Sequence, residues 1–407
     1  MLFGFWRARP ACHLYRPITD MHYLDHAATT PMHPAAIDAM VSVLRDRFGN
    51  PSGVHDVSGD AREALESARD AMASVFGRQS REIVFTGGGT EALNLALRGA
   101  ASTHGRPVLL TSAIEHDAVR ETADWLAITG EAVHETLTVT SRGVLDLDAA
   151  RAAIVRHAPD AAPLIVAVMA VNNEVGTIQP VIELAALLRQ LAPGALLVVD
   201  AVQALTWMDL RPIAAVADFI AVSGHKFGGP KGVGALFVRE GIAITPLIHG
   251  GGQERQRRSG TQNVAGIVGM AEAALLTENM RAEVVERVDA LRNRMVSALV
   301  NSVEGCTETV SDRSLKVPGN AHLTLEGVES ESVLVLLNEA GIAASAGSAC
   351  ASGALHVSPV LLAMGVHRER AGGALRFTLG VSSTDEDVDA VVRELPRIVT
   401  QLRRGLR

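Results

Sequence analysis

Lys226 is the residue whose type and setting point most directly to covalent chemistry. The chain has 407 residues, 37 of them basic, yet only Lys226, Lys231 and Lys316 are lysines. A guanidinium cannot form an imine, so a lysine kept among so many arginines indicates that its amine reacts. Lys226 follows the apolar run FIAVSG, whereas Lys231, in the turn GGPKG, remains the alternative. Lys316 is expected to be a solvated loop residue.

Cys350 is the candidate nucleophile. It lies in the run SAGSACASG, whose small residues lack helical or strand periodicity and predict a mobile loop. Cys306 lies in a more apolar segment and is expected to be a core residue. Together with Cys12 these are the three cysteines, widely spaced and without a C-x-x-C pair, which argues against a disulfide framework or a structural zinc site and favours a reducing cytoplasm.

A glycine-rich turn follows the apolar run EIVFT and opens a helix at Gly87-Gly88-Gly89-Thr90-Glu91. Free backbone N–H groups and the positive end of the helix dipole would favour an anion such as phosphate there. A tight strand-to-helix connection without a ligand is the alternative. The P-loop spacing and the dinucleotide-binding glycine spacing are both absent, which excludes these two nucleotide-binding classes.

Polar residues follow several other strand-like runs. Ligands of open parallel sheets lie beyond the carboxyl ends of the strands, so these residues could meet one ligand. Asp200 could be an ordinary helix cap, but beside a phosphate site and a lysine it could keep a pyridine nitrogen protonated, which makes the ring an electron sink. The residues in question are His116, Asn172 to Glu174, Asp200, Gln203 and Ser223 to Lys226.

The elements that must position these residues alternate between strand-like and helical runs from about residue 60 to residue 224. This order predicts an α/β fold with a mostly parallel sheet and helices on both faces. A long helical stretch from about residue 267 to 303 follows, and short strand candidates such as NAHLTLEG and ALRFTLG come after it. We therefore expect a second, α+β domain from near residue 283, joined to the first by the long helix.

Composition limits the function classes. Hydrophobic residues make up 48% of the chain and charged residues 20%, without an apolar run long enough to span a membrane. The net charge of −8 has no like-charged block, so neither nucleic acid nor a membrane surface is an expected partner. Residues 1–20 lack the features of a secretory signal and are expected to be an unstructured extension before Met21, with a transit peptide as the alternative.

A set of motifs resembles the cysteine desulfurases of the class V aminotransferase group, in particular the bacterial housekeeping and nitrogen-fixation type. In chain order, the motifs are YLDHAATTP, TGGGTE, EHDAV, NNEVGT, DAVQA, SGHKFGGPKG, GGGQERQRRSGT, SAGSAC and LRFTLG. The resemblance implies a fold-type I pyridoxal-phosphate-dependent transferase. Its large domain, residues 34–282, would contain a mostly parallel seven-stranded sheet, and residues 21–33 and 283–407 would form a smaller α+β domain carrying the cysteine loop.

The resemblance also implies roles for single residues around the cofactor pyridoxal 5′-phosphate. Lys226 would bind the cofactor covalently and Asp200 would pair with its ring nitrogen. Thr261 would reach the phosphate from a partner subunit, which implies a homodimer. Arg376 and Asn173 would bind the substrate, since a guanidinium suits a carboxylate. The other implied cofactor residues are Gly89, Thr90, Ser223 and His225 at the phosphate, Asn173 and Gln203 near the ring hydroxyl, and His116 over the ring.

The implied reaction removes sulfur from L-cysteine, with Lys226, Cys350 and His116 as catalytic residues. Alanine would leave and Cys350 would carry the sulfur as a persulfide to an acceptor such as an iron–sulfur scaffold protein. The only implied metal role is transient, with Cys350 as an iron–sulfur ligand shared with that scaffold. Ala346 stands where the family has serine, and the end LRRGLR lacks the extended tail that some relatives use for docking.

Alternatives remain open at this stage. Selenocysteine cleavage or transamination could occur on the same scaffold, although neither explains the loop thiol as directly. A non-enzymatic scaffold protein would be expected to lose Lys226 or Cys350, and both are present. The sequence does not distinguish iron–sulfur assembly, tRNA thiolation and cofactor synthesis as the destination of the sulfur.

Overall fold

A computed structural model describes residues 21–158, 163–346 and 357–405 of the chain. The strands are β1 His22–Tyr23, β2 Ile83–Thr86, β3 Val108–Ser112, β4 Val133–Leu137, β5 Leu164–Met169, β6 Leu196–Asp200, β7 Phe219–Ser223, β8 Gly234–Val238, β9 Cys306–Glu308, β10 Asn320–Leu325, β11 Ile342–Ala343 and β12 Ala374–Thr378. The helices are α1 Pro34–Asp46, α2 Asp56–Phe76, α3 Gly89–His104, α4 Asp117–Ile128, α5 Leu147–His157, α6 Val181–Leu191, α7 Arg211–Val216, α8 Val264–Ser302, α9 Ser330–Glu339, α10 Pro359–Ala363, α11 Arg368–Ala371 and α12 Asp385–Gly405.

Within the described residues, seven strands form one large sheet in the order β2-β8-β7-β6-β5-β3-β4. Strands β3 to β7 pair in parallel, whereas β8 runs antiparallel to both β7 and β2. The expected α/β fold with a mostly parallel seven-stranded sheet is therefore confirmed. Its carboxyl edge brings together the ends of strands that are far apart in sequence.

Two strands of this sheet have weak sequence signals, and the alternating pattern did not predict them. Strand β4, with the sequence VHETL, is an edge strand whose residues are mostly exposed or half-buried, so polar residues interrupt its apolar pattern. Strand β8 begins at Gly234, immediately after the turn that contains Lys231. A Cβ on Gly234 would lie 2.6 Å from the carbonyl oxygen of Val222 on β7, so only glycine allows the two strands this approach.

Both faces of the large sheet are buried, as expected where helices cover a parallel sheet. All six residues of β5 are buried, and the first five alternate between two hydrophobic clusters: Val166 packs on one face and Ile165 on the other. Helix α2 ends at Gly77, which adopts the left-handed conformation with φ 60° that glycine tolerates best. Of the described helices, none is long and apolar enough to cross a membrane.

A separate hydrophobic cluster surrounds a three-stranded antiparallel sheet in the order β12-β10-β9. This cluster takes in Leu24 from the N-terminal segment and buried side chains of the second half of α8, α9 and α12. Helix α8 spans 39 residues and contributes to both the large and the smaller cluster. The domain limits at residues 33/34 and 282/283 stay a prediction.

Lys316 contradicts its expected place in a solvated loop. Its side chain is fully buried, and its Nζ donates to Glu308 Oε1 at 2.8 Å and to the Val310 carbonyl oxygen at 3.2 Å. Burial lowers the pKa of Lys316 to about 8, although the nearby Glu308 carboxylate acts in the opposite direction. The ion pair therefore replaces the hydration that a loop lysine would have. The local sequence LKVPG gives no indication of this burial.

Candidate active site

A cleft of about 1030 Å³ lies at the carboxyl edge of the large sheet. This is the edge at which parallel sheets bind their ligands. Most of the residues singled out from the sequence border the cleft: Gly89, Thr90, His116, Asn173, Asp200, Gln203, Ser223, His225, Lys226 and Arg376.

Lys226 lies in a single helical turn directly after β7, at residues Gly224–Lys226. Its Nζ donates to the carbonyl oxygens of Ala27, at 2.6 Å, and Ala28, at 2.9 Å. Gln203 Nε2 also donates to the Ala27 oxygen, at 2.8 Å. The N-terminal segment thus holds the amine at the border of the cleft through two backbone oxygens. Once deprotonated, the neutral nitrogen could react as a nucleophile or as a base.

Asp200 ends β6 and is buried. Its Oδ1 accepts a hydrogen bond from the Val202 N–H at 2.9 Å. Burial raises the pKa of Asp200, while that hydrogen bond and the charges of His116 and Lys226 act to lower it. A buried carboxylate is costly without a cationic partner, so this position favours a ligand that presents a positively charged N–H.

The glycine turn between β2 and α3 forms a second part of the cleft. Gly88 has φ 152°, a conformation that residues with a side chain rarely adopt. A Cβ on Gly89 would lie 2.8 Å from Val202 Cγ2, so the helix can begin this close to β6 only with glycine there. Glu91 Oε2 accepts from the Gly87 N–H at 2.7 Å and fixes the turn. Thr90 is exposed at this helix start and borders the cleft.

Ser223 and His225 complete this side of the cleft. Ser223 is buried at the end of β7, and its Oγ would lie 3.9 Å from a Cβ on Gly88. The Nδ1 of His225 lies 3.2 Å from Thr29 Oγ1. Burial, together with the charges of Lys226 and Lys231, lowers the pKa of His225 to about 4. His225 is therefore neutral near pH 7 and can act as a hydrogen-bond donor without adding charge.

His116 is the N-cap residue of α4, and its Nδ1 accepts from the Ala118 N–H at 3.0 Å. Because Nδ1 is the acceptor in this bond, a neutral His116 carries its proton on Nε2. Asn173 is half-buried in the loop after β5 and borders the cleft. The neighbouring Asn172 has a different role: its Oδ1 accepts from the N–H groups of Glu174 and Val175 and shapes that loop.

Arg376, in the middle of β12, extends from the smaller sheet to the cleft. Its Nη2 donates to Asp25 Oδ1 at 2.7 Å, and its Nη1 donates to the Asn173 carbonyl oxygen at 2.9 Å. The guanidinium is buried, and these two contacts fix its plane. A fixed guanidinium at the edge of a cleft is suited to a carboxylate ligand.

Thr261 and Cys350 are the two predicted site residues that the structure does not place in the cleft. Thr261 is exposed, in the loop before α8, and does not border the cleft of its own chain. Cys350 lies outside the described residues, and so does its expected role as a transient iron–sulfur ligand. Cys306 is buried, and burial raises the pKa of its thiol to about 11, so this cysteine is a poor nucleophile.

Two acidic residues near the site, Asp25 and Glu115, were not predicted, although each lies within a motif that the sequence displays; Glu174 was among the polar residues expected after β5. Asp25, in YLDHAATTP, forms the ion pair with Arg376. Glu115, in EHDAV, and Glu174, in NNEVGT, are buried and border the cleft. Their signal was an acid beside a predicted site residue, but an acid in such a position is more often a turn or capping residue.

The residues of the cleft fit pyridoxal 5′-phosphate. The buried Asp200 carboxylate suits a protonated ring nitrogen, and Lys226 supplies an amine at the same strand edge. The glycine turn, at which a Cβ on Gly89 could not be accommodated, offers backbone N–H groups to a phosphate.

Comparisons with known proteins agree on one family. The Aminotransferase class-V profile matches residues 22–391. An IscS-like cysteine desulfurase of Mycobacterium tuberculosis is 42% identical over 392 residues, which cover 95% of this chain and 98% of that protein. A solved structure of a NifS-like protein is 34% identical, with a TM-score of 0.87, and covers 94% of this chain and 100% of its own.

A second similar structure is SspA in complex with cysteine, 29% identical with a TM-score of 0.77; the match covers 89% of this chain and 99% of that one. The family matches extend over the large sheet, the cleft and the smaller sheet alike. The chain therefore belongs to the class-V aminotransferase family, among the cysteine desulfurases.

Proposed function

We propose that this protein removes sulfur from L-cysteine with pyridoxal 5′-phosphate as its cofactor, releasing L-alanine and leaving the sulfur on Cys350. The observation that carries the proposal is the presence of Lys226, Asp200 and Arg376 around one cleft. An amine, a buried carboxylate and a carboxylate-binding guanidinium are what an amino-acid substrate and this cofactor require together. The cysteine desulfurases to which the chain is similar support the same reaction.

The cofactor would be held at both ends. Lys226 would bind it covalently and Asp200 would pair with its ring nitrogen, with His116 over the ring face. Asn173 and Gln203, which both border the cleft, would lie near the ring hydroxyl. The phosphate would lie against Gly89, Thr90, Ser223 and His225. When bound, the cofactor supplies an electron sink for the negative charge that develops at the substrate α carbon.

The substrate would be oriented by its carboxylate. Arg376, whose plane is fixed by Asp25 and the Asn173 carbonyl oxygen, would donate two parallel hydrogen bonds to the carboxylate. Asn173 would add its side-chain amide. This arrangement would place the α carbon near Lys226, whose neutral amine takes the α proton.

Cys350 would receive the sulfur. Its thiolate would attack the sulfur of the bound cysteine, so that an S–S bond forms as the substrate C–S bond breaks. The electron pair of that C–S bond goes to the substrate carbon, which takes a proton and leaves as alanine. The sulfur remains on Cys350 as a persulfide and passes to an acceptor thiol, for example on an iron–sulfur scaffold protein.

A homodimer is part of the proposal. Thr261 is exposed and does not border its own cleft, as expected for a residue that serves the cleft of a second copy. Exposed apolar side chains agree with such an interface: Leu44, Phe48 and Val54 are 62%, 77% and 101% exposed. Sedimentation should find a dimer that Phe48→Glu dissociates. A wild-type monomer at micromolar concentration would contradict this arrangement.

Further proposals concern cellular context and domain limits. We infer a cytoplasmic location, because a reactive thiol and an acceptor thiol require a reducing compartment. A large domain of residues 34–282, and a smaller one of residues 21–33 and 283–407, agree with the separate hydrophobic clusters of Leu24 and the C-terminal elements. Residues 1–20 lie outside the described part of the chain and stay an expected extension.

The test is to incubate the purified full-length protein with pyridoxal 5′-phosphate and L-cysteine and to quantify alanine and reducible sulfur. Equal amounts of both, dependent on the enzyme, are expected. Pyruvate and ammonia in place of alanine would indicate a lyase. Transfer of the amino group to a keto acid would indicate an aminotransferase, and no product at all would support a scaffold protein.

A further inference from the structure

Glu115 is a buried acid in the cleft to which the proposed mechanism gives no role. It directly precedes His116, and its side chain turns back towards the strand ends. Its Oε1 accepts from Ser112 Oγ at 2.5 Å and from the Met169 N–H at 2.9 Å. Its Oε2 is buried and has no hydrogen-bond partner within the described residues. Glu115 therefore presents one satisfied oxygen and one unsatisfied oxygen at the border of the cleft.

Asp200 is the nearest acid that bears on this group. Met169, whose N–H binds Glu115, lies opposite Asp200 in the parallel pairing of β5 and β6. The two carboxyl groups are thus attached to neighbouring positions of one sheet edge, and both are buried. Two ionised carboxylates in such surroundings repel each other, which favours a proton on one of them.

The surroundings determine which group holds it. Asp200 is near two groups that favour its charged form, Lys226 and His116, and accepts from the Val202 N–H. Glu115 adjoins His116 in the chain, but no positive charge acts measurably on it; burial, and then the charge of Asp200, raise its pKa to about 8 against its two hydrogen bonds. Near pH 7 the proton therefore belongs to Glu115.

We propose that Glu115 is a positioning residue, held as a neutral acid with its proton on Oε2, so that the single negative charge of the carboxyl pair stays on Asp200. Because Oε1 already accepts two hydrogen bonds, the buried and unpartnered Oε2 is the oxygen that can carry the proton. The Asp200 carboxylate can then pair with the cofactor ring nitrogen, and Glu115 adds no second negative charge beside it. The inference rests on the proposed function for the identity of that cofactor.

Amide substitution separates the two acids. Glutamine imitates a neutral acid, so Glu115→Gln holoenzyme should bind pyridoxal 5′-phosphate within about threefold of the wild-type dissociation constant at pH 7. Asp200→Asn, which loses the charge, should bind it at least about tenfold more weakly, equivalent to one pKa unit of interaction. A loss in Glu115→Gln as large as in Asp200→Asn would overturn the proposal.

Infrared spectroscopy of the holoenzyme reads the proton directly. The wild type should show, at pH 7, the carbonyl stretch of a protonated carboxylic acid that disappears as the pH rises through about 8. Glu115→Gln should lack this band. Burial also raises the pKa of Glu174, so the band is assigned from the difference between the wild-type and Glu115→Gln spectra. A difference spectrum without the band would refute a neutral Glu115, whereas a wild type that binds no cofactor would refute the proposed function instead.

Ser112→Ala provides the second variant if Glu115→Gln does not fold. The Ser112 hydroxyl stabilises the ionised form of Glu115, so its removal should move the disappearance of the infrared band to higher pH. An unchanged midpoint in Ser112→Ala would contradict the proposal. A merely structural role for Glu115 would not link the serine hydroxyl to the titration of this band.

Discussion

Arg376 and Asp25 form a mostly buried ion pair 2.7 Å long, although 351 residues separate them in the sequence. The pair joins β12 of the smaller sheet to the segment after β1, whose Ala27 and Ala28 carbonyl oxygens accept from Lys226. The proposed substrate-binding guanidinium and the proposed reactive amine are thus anchored by the same short stretch of chain. Any movement of this segment would change both.

Arg376→Lys tests the role of the guanidinium. Lysine keeps the charge but cannot form two parallel hydrogen bonds with a carboxylate. We expect a higher KM for L-cysteine and a loss of about 2 to 4 kcal/mol in kcat/KM. Asp25→Asn should show a smaller loss, since it loosens the guanidinium without removing it. Unchanged steady-state kinetics in Arg376→Lys would remove this residue from the substrate site.

Lys226→Ala tests the covalent attachment of the cofactor. The visible absorbance of the lysine-bound cofactor and all turnover should vanish, because alanine has no amine. Lys231→Arg is the matched control: Lys231 also borders the cleft but needs only a positive charge, so its variant should keep both signals. Spectra of the two reconstituted proteins provide the measurement. If Lys231→Arg alone lost the absorbance, the attachment would have to be reassigned to Lys231.

Lys316→Ala tests the energetic role of the buried ion pair in the smaller sheet. Removing the lysine leaves the mostly buried Glu308 with only its longer contact to Arg292, at 3.3 Å. We expect the free energy of unfolding in urea to fall by about 3 to 5 kcal/mol. Arg142→Ala breaks the exposed pair with Asp312 and should cost less than about 1 kcal/mol. Equal losses in the free energy of unfolding for the two variants would show that burial does not determine how much each ion pair contributes to stability.

His322 predicts a specific dependence of stability on pH. Burial, with the charges of Lys316 and Arg376, lowers its pKa to about 3, whereas an unfolded histidine titrates near pH 6.5. As the pH falls below 6.5, the unfolded chain binds a proton that the folded protein cannot, so the free energy of unfolding falls until about pH 3. His322→Asn should make this decline shallower by up to about 1.4 kcal/mol per pH unit.

Denaturant unfolding between pH 7 and pH 4.5 measures this effect. The exposed His249 provides the control, because His249→Asn removes a histidine from the surface and not from the core. Its pH dependence should match the wild type. A His322→Asn protein with the wild-type slope would indicate that His322 binds its proton in the folded state.

The large sheet could be predicted where strands are buried on both faces. The run PLIVAVMAV indicates β5 because every side chain in it is apolar, and the polar residues after such strands gave most of the cleft. Strand β4 could not be predicted in this way, since an edge strand keeps its polar residues in water. Periodicity reports burial, and it therefore loses strands whose burial is incomplete.

Long-range pairs set the other limit. The sequence does not indicate that Asp25 and Lys316 form buried ion pairs. Only the fold brings Arg376 to Asp25 and Glu308 to Lys316. Glu115 is similar: its burial depends on Met169 and Ser112, which belong to two different strands. Residue type and spacing identified the side chains expected to react. They did not identify the side chains that hold these reactive residues in place.

The central claim is that Cys350 receives the sulfur, and mass spectrometry of the holoenzyme after treatment with L-cysteine tests it most directly. We predict one added sulfur on the peptide that contains Cys350 and none on Cys306, whose thiol pKa of about 11 keeps it protonated. Cys350→Ala should still bind the cofactor and L-cysteine but release no alanine. Sulfur on Cys306 or Cys12 instead, or wild-type alanine production by Cys350→Ala, would contradict the account.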